Sequence, residues 1–157
     1  MEIKEILDCK SKSKICEDII RALPEWFGIE QSIVDYVDGV KGLPFFAIFD
    51  GNNPIGFFAL KLHNGYTAEI YVCGIYKEYH RKGVGNLLMQ HCKNYCKQNN
   101  LEYLTVKTLD ESVECEFYKR TRLFYLAMDF KPLEVVKTIW DEKNPCLIMV
   151  KAIKKEV

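Results

Sequence analysis

The residues best suited to chemistry lie in one short run, His80-Arg81-Lys82-Gly83-Val84-Gly85-Asn86. The run follows a near-continuous apolar stretch from Ala68 and opens a segment with helical spacing. A strand ending near Tyr76 and a helix beginning near Gly83 leave several backbone N–H groups without intrahelical partners. Their summed dipole favours an anion, by about 0.3–1 kcal/mol when exposed and more when sheltered. Gly83 and Gly85 let the backbone come close to a pyrophosphate, and Arg81 and Lys82 add positive charge. The same glycines also suit an ordinary turn into a helix, so the pattern alone does not fix a ligand. The triphosphate motif Gly-x-x-x-x-Gly-Lys-Ser/Thr is absent, and a dinucleotide fingerprint would need a third glycine where Leu88 stands.

Other reactive groups form no second constellation. His91 and Cys92 diverge on their helix and no fourth ligand accompanies them and Cys96, so no metal is expected. The seven cysteines are odd in number and contain no Cys-x-x-Cys. Cys16, Cys73, Cys92, Cys96 and Cys146 sit inside apolar patterns, as reduced and buried small hydrophobes would.

The elements that must hold the loop follow from hydrophobic period. Residues 2–7 read as a first strand. A helix from Ser13, which suits its cap, carries Ile15, Cys16, Ile19, Ile20 and Leu23 on one face and stops at Pro24. A second is expected over residues 30–38, with Ile33, Val34 and Val37 inward and Gly39 ending it. The link between them puts Trp26 and Phe27 in a turn, either to wall a groove or to pack on the sheet. Strands follow at residues 44–49 and 55–62, joined by the hairpin signal Asp50-Gly51-Asn52-Asn53.

His63-Asn64-Gly65 turns into a strand over residues 66–76, apolar on both faces from Glu69 to Ile75 and so expected at the sheet centre. The helix after the glycines places Val84, Leu87, Leu88, Cys92 and Tyr95 on one face. A strand at residues 101–106 then implies a crossover to a parallel neighbour. The last helix, over residues 112–128, has Val113, Phe117, Thr121, Phe124 and Met128 along its core stripe, with Asp110 or Ser112 as cap. Strands at residues 130–140 and 146–153 close the chain. The expected fold class is α/β, a mixed seven-stranded sheet with about four helices, as one domain over residues 1–157.

Composition narrows the function classes. Of 157 residues 48% are hydrophobic and 28% charged, which suits an ordinary globular chain. Lysine plus arginine and aspartate plus glutamate both total 22, which speaks against a surface spread for nucleic acid. No apolar run approaches the roughly 20 residues that span a bilayer, and the charged N-terminus lacks a signal-peptide core. A cytoplasmic protein with no membrane partner is expected.

Ala68-Glu69-Ile70, the apolar strand and His80-Arg81-Lys82-Gly83-Val84-Gly85 resemble motif A of the GNAT superfamily of acetyl-CoA-dependent N-acetyltransferases, usually written Arg/Gln-x-x-Gly-x-Gly/Ala. Phe124-Tyr125-Leu126-Ala127-Met128-Asp129-Phe130 is similar to the Phe-Tyr-x-x-x-Gly-Phe segment of that family's motif B. The order of elements also resembles the family fold, so the likeness covers nearly the whole chain.

The resemblance implies transfer of an acetyl group from acetyl-CoA to a primary amine by direct attack in a ternary complex, without a metal. Backbone amides of Arg81, Lys82, Gly83, Val84, Gly85 and Asn86 would hold the coenzyme pyrophosphate. The strand edge at Cys73, Gly74 and Ile75 would pair with pantetheine, with a β-bulge at Cys73-Gly74 turning donors towards the thioester carbonyl. Tyr125 would protonate the leaving thiolate; on the helix it stands one residue, about 100°, from the stripe through Phe124. Glu69 would be the general base, unless it is a plain exposed strand-end glutamate. Trp26, Phe27 and Trp140 would line the acceptor groove, and Glu25, Glu30, Asp141 and Glu142 would draw a cationic amine.

His80 stands where the motif has arginine or glutamine, which would weaken a side-chain brace on the loop. Asp129 stands where it has glycine, at a position that often needs positive φ. The acceptor would be a small-molecule or peptide amine, and the protein a monomer or homodimer. A non-catalytic acyl-CoA-binding regulatory or interaction domain is the alternative.

Overall fold

Strand alternation, glycine turns and amphipathic stripes produce eleven elements in the computed structural model, which describes residues 1–154. They are β1 (Glu2–Glu5), α1 (Cys9–Arg21), α2 (Glu30–Gly39), β2 (Phe45–Asp50), β3 (Asn53–Leu62), β4 (Thr67–Ile75), α3 (Val84–Gln98), β5 (Tyr103–Leu109), α4 (Glu116–Ala127), β6 (Lys131–Asp141) and β7 (Asn144–Ala152). The strands make a seven-stranded mixed sheet in the order β1-β2-β3-β4-β5-β7-β6. The strand that is apolar on both faces, β4, stands in the middle of that order, as its pattern required. The chain divides into two compact units, Met1–Lys61 with Tyr71–Asn94, and Leu62–Ile70 with the residues from Tyr95 onward.

In the first unit β1, β2 and β3 pair antiparallel, and Asp50 opposite Asn53 closes the β2–β3 hairpin with Gly51 at φ 61°. Its core joins Ile15, Cys16, Ile19, Ile20 and Leu23 of α1 to Phe45, Ala47, Phe57 and Ala59 of the strands. The Phe45 and Phe57 rings stack at 5.1 Å and 8°. Helix α1 starts earlier than Ser13 because Asp8 is the cap, its carboxylate accepting from the Ser11 N–H at 2.9 Å. Ser13 instead donates its hydroxyl to the Val37 carbonyl at 2.8 Å, tying α1 to α2.

Gly39 is the last residue of α2 at φ −63° rather than a stop beyond it, and a Cβ there would run into the Tyr71 hydroxyl. Ile33 is buried as expected, but Val34 is 47% exposed. On α3 the buried period is Val84, Leu88 and Cys92, one residue every four, while Leu87 turns outward at 49% exposure.

In the second unit the start of β4 runs parallel to β5, from Thr67 opposite Tyr103 to Ile70 opposite Val106. That parallel register ends at Ile70, although β4 continues to Ile75 and β5 to Leu109. β5 then pairs antiparallel with β7, and β7 with β6, which is exposed along almost its whole length. Helix α4 begins at Glu116, later than residue 112. Asp110 accepts the Ser112 N–H on its side chain at 3.1 Å and the Val113 N–H on its carbonyl at 3.2 Å, which makes a turn there instead. The stripe expected through Phe117, Thr121 and Phe124 is only half-buried; the buried residue of α4 is Tyr125.

All seven cysteines are free. Cys16, Cys92, Cys96 and Cys146 are buried as expected, whereas Cys73 is half-buried. No helix among the described residues is long and apolar enough to cross a membrane.

Candidate active site

The loop after β4 is built from short-range bonds that leave its far side open. Tyr76 N–H is tied to the Ile55 carbonyl at 3.0 Å, and a 3-10 turn follows at Lys77–Tyr79. The amides of Tyr79 and His80 bond back to the carbonyls of Tyr76 and Lys77. Arg81 and Gly83 then take φ of 60° and 81°. Left-handed residues within a turn gather successive N–H groups into a concavity that suits an anion. Glycine adopts this conformation without strain, but arginine does so at a cost of about 1–2 kcal/mol. The first backbone bond of α3 runs from the Leu87 N–H to the Gly83 carbonyl at 3.2 Å. The amides of Val84, Gly85 and Asn86 therefore have no acceptor within the helix.

Side chains of the same unit hold the loop. His80 Nε2 donates to the Ile75 carbonyl at 2.7 Å, which fixes that nitrogen as the protonated one in the neutral ring. Trp26 meets the His80 ring edge-on at 5.8 Å. Tyr79 donates its hydroxyl to Asp50 at 2.8 Å, and that bond raises the phenol above its ordinary pKa. Lys77 pairs with Glu25. The substitution at the motif's first position thus keeps a brace, with a histidine–carbonyl bond in place of an arginine or glutamine.

Gly74 does not have a positive φ. Its small size answers to α1, since a Cβ there would lie 3.0 Å from Ile19 and 3.2 Å from Leu23. This close approach fixes where the end of β4, with Cys73 and Ile75, runs under the helix.

Glu69, in the second unit, is not an exposed strand-end residue. Its side chain is only 6% exposed, and its Oε1 accepts from His63 Nε2 at 2.7 Å and from Lys107 Nζ at 3.3 Å. Lys107 reaches it because Thr105 faces Glu69 in the parallel register, and residues two apart on a strand share a face. His63 is set by the turn before β4: its N–H bonds the Thr67 carbonyl at 2.9 Å, and Asn64 Oδ1 accepts from Tyr66 and Thr67. Neither His63 nor Lys107 stood out in the sequence, because their meeting with Glu69 depends on a hairpin and a strand register.

Tyr125, also in the second unit, is 5% exposed and lies edge-on to Phe130 at 5.2 Å and to Phe124 at 5.5 Å. Its carbonyl accepts the Phe130 N–H at 3.0 Å, and the Asp129 N–H bonds Leu126 at 3.1 Å. With Asp129 at φ 70° this is a Schellman end to α4, so aspartate here does the work of the motif's glycine. Arg122 donates to the Leu109 carbonyl and Lys151 to the Met128 carbonyl, each at 2.8 Å, which fixes both flanks of the helix.

The suggested groove residues divide between the units. Trp26 and Phe27 pack against the first unit's core, Phe27 edge-on to Tyr36 at 5.9 Å. Trp140, on β6 in the second, is 40% exposed. Glu30 forms a two-pronged pair with Arg21 at 2.8 and 2.9 Å, and Asp141 bonds Asn144 in its own turn. Those two acids, like Glu25, already have partners within the chain. His91 packs on the Phe46 ring at 5.0 Å.

Comparison with known proteins bears on this arrangement. The model of the Acetyltransferase (GNAT) family matches residues 13–122. No curated protein matches the sequence at a significant level. Among solved structures, a putative acetyltransferase of the GNAT family from Desulfovibrio desulfuricans superposes with TM-score 0.82 at 12% identity, over 98% of this chain and 99% of that one. An aminoglycoside 6'-N-acetyltransferase complexed with coenzyme A gives 0.78 at 16%, over 100% and 99%. The ribosomal-protein-S18-alanine N-acetyltransferase from Escherichia coli gives 0.77 at 11%, over 99% and 96%. At these identities the likeness is one of fold.

Proposed function

The chain belongs to the GNAT acetyltransferase family, and from that premise we propose that it moves an acetyl group from acetyl-CoA to a primary amine by direct attack in a ternary complex, the whole chain acting as one such domain. The observation that carries the reading is the loop at the start of α3. Arg81 and Gly83 are left-handed, the amides of Val84 to Asn86 are open, and His80, Tyr79 and Lys77 hold the turn from behind. Such a site fits the phosphates of coenzyme A, to which Arg81 and Lys82 add charge.

The remaining roles follow the family's motifs. Backbone groups at Cys73, Gly74 and Ile75 pair with pantetheine and stabilise the charge that develops on the thioester oxygen. Glu69 supplies the carboxylate that draws the proton from the amine, directly or through an intervening group. Tyr125 gives its phenolic proton to the leaving sulfur. The acceptor is a small-molecule or peptide amine. Similar folds carry titles naming an aminoglycoside and a ribosomal-protein alanine as substrates, and those two span this range.

Calorimetric titration with acetyl-CoA, followed by thiol release across a panel of amines, tests the proposal. Binding plus amine-dependent release is expected. Binding without release on any acceptor would make the chain a coenzyme-binding module instead, and no binding would end both readings.

A further inference from the structure

Glu69 is enclosed, but the groups that bond it are not. Its side chain is 6% exposed, against 36% for His63 and 35% for Lys107, and Oε1 receives both. A carboxylate accepts hydrogen bonds and does not donate them. In the neutral ring, His63 Nε2 therefore carries the hydrogen and Nδ1 keeps a lone pair. The ring's orientation is fixed by its own backbone bond to Thr67 and by Asn64 within the turn. A buried carboxylate bonded to one nitrogen of a half-exposed imidazole is the arrangement that makes the other nitrogen a base.

The charged groups around Glu69 are His63 from the turn before β4, Lys107 from β5 and, electrostatically, Cys146 from β7. Burial pushes the Cys146 thiol up to about 11, so it remains neutral and does not compete for the proton.

Resting on the acetyl-transfer reading, we propose that His63 takes the proton of the acceptor amine at Nδ1, with Glu69 as the positioning residue behind it and Lys107 anchoring that carboxylate. The amine nitrogen forms its bond to the acetyl carbon as its N–H bond breaks towards Nδ1. The carbon–sulfur pair leaves with sulfur, which takes the phenolic proton of Tyr125. The imidazolium then returns its proton to water, and Tyr125 recovers one from solvent. Glu69 stabilises the imidazolium during the step without being protonated itself.

The test uses the full chain with acetyl-CoA and whichever amine the wild-type protein accepts. His63→Gln keeps a donor for Glu69 but has no basic nitrogen. It should lower kcat/KM by about 10²- to 10⁴-fold and remove the acidic limb of the pH profile, with acetyl-CoA affinity kept within about twofold. Imidazole should restore part of the turnover of His63→Ala. Glu69→Gln should shift the acidic limb to lower pH rather than abolish it, since it removes the charge that favours imidazolium.

Wild-type turnover and an intact acidic limb in His63→Gln would overturn the proposal and leave the acetyl-transfer reading standing. Loss of activity in Glu69→Gln but not in His63→Gln would return the base role to the carboxylate. No release by the wild-type protein on any amine would remove the acetyl-transfer reading, and this proposal with it.

Discussion

Tyr125 is placed by its backbone as firmly as by its ring. The Schellman turn through Asp129 and Phe130 pins the carbonyl of the residue proposed to deliver the proton, while Phe130, fully buried, packs beside its ring. Tyr125→Phe keeps this packing and removes only the hydroxyl. Turnover should fall about 10- to 1000-fold while acetyl-CoA binding by calorimetry stays nearly intact; unchanged turnover would take Tyr125 out of the mechanism. Asp129 was legible as a positive-φ site from its place after a helix, because that demand is set by local backbone geometry. Glu69 was legible only as a carboxylate. Its burial, and its bonds to His63 and Lys107, depend on residues that approach it through a turn and a neighbouring strand.

The helices owe their limits to single polar groups. Asp8 caps α1, the helix whose Ile19 and Leu23 press on Gly74 of β4. Bonds from the Ser11 side chain and N–H favour the ionised form and hold the Asp8 carboxyl below its ordinary value. A lowered folded-state value means the cap's contribution is complete above the unfolded-chain value and is lost as pH falls through the folded one. Asp8→Ala should therefore lower the melting temperature at neutral pH, and the gap from wild type should close at pH well below about 4. A constant gap across that range, followed by circular dichroism, would show that the charge plays no part. The sequence suggested Ser13 as the cap because both residues suit the role; Ser13 is drawn instead to the Val37 carbonyl of α2.

Across the whole molecule, the distribution of thiols separates surface from core. Burial pushes Cys16 up to about 12 and Cys146 up to about 11, while Cys9 is exposed. Since only the thiolate reacts, brief treatment of the native protein with iodoacetamide near neutral pH should label Cys9 first and leave Cys16, Cys92, Cys96 and Cys146 unmodified. Peptide mass spectrometry reads this directly, and labelling of Cys16 at the rate of Cys9 would contradict the buried core of α1. Full labelling in denaturant is expected. The apolar spacing of four of these cysteines already placed them inside; Cys73, in an equally apolar strand, is half-buried because it lies towards the end of β4.

Taken alone, the sequence determined the central strand, the glycine loop, the helix it opens and the family motifs they carry. Each of these is written in neighbouring residues, through hydrophobic period and the freedom of glycine. The tertiary structure decided what periodicity cannot encode. It turned Val34 and Leu87 outward, made Gly74 a point of contact with α1, and enclosed Glu69 between His63 and Lys107. The physical reason is that burial and hydrogen-bond partners are set by strand register and helix docking, which bring together residues far apart along the chain.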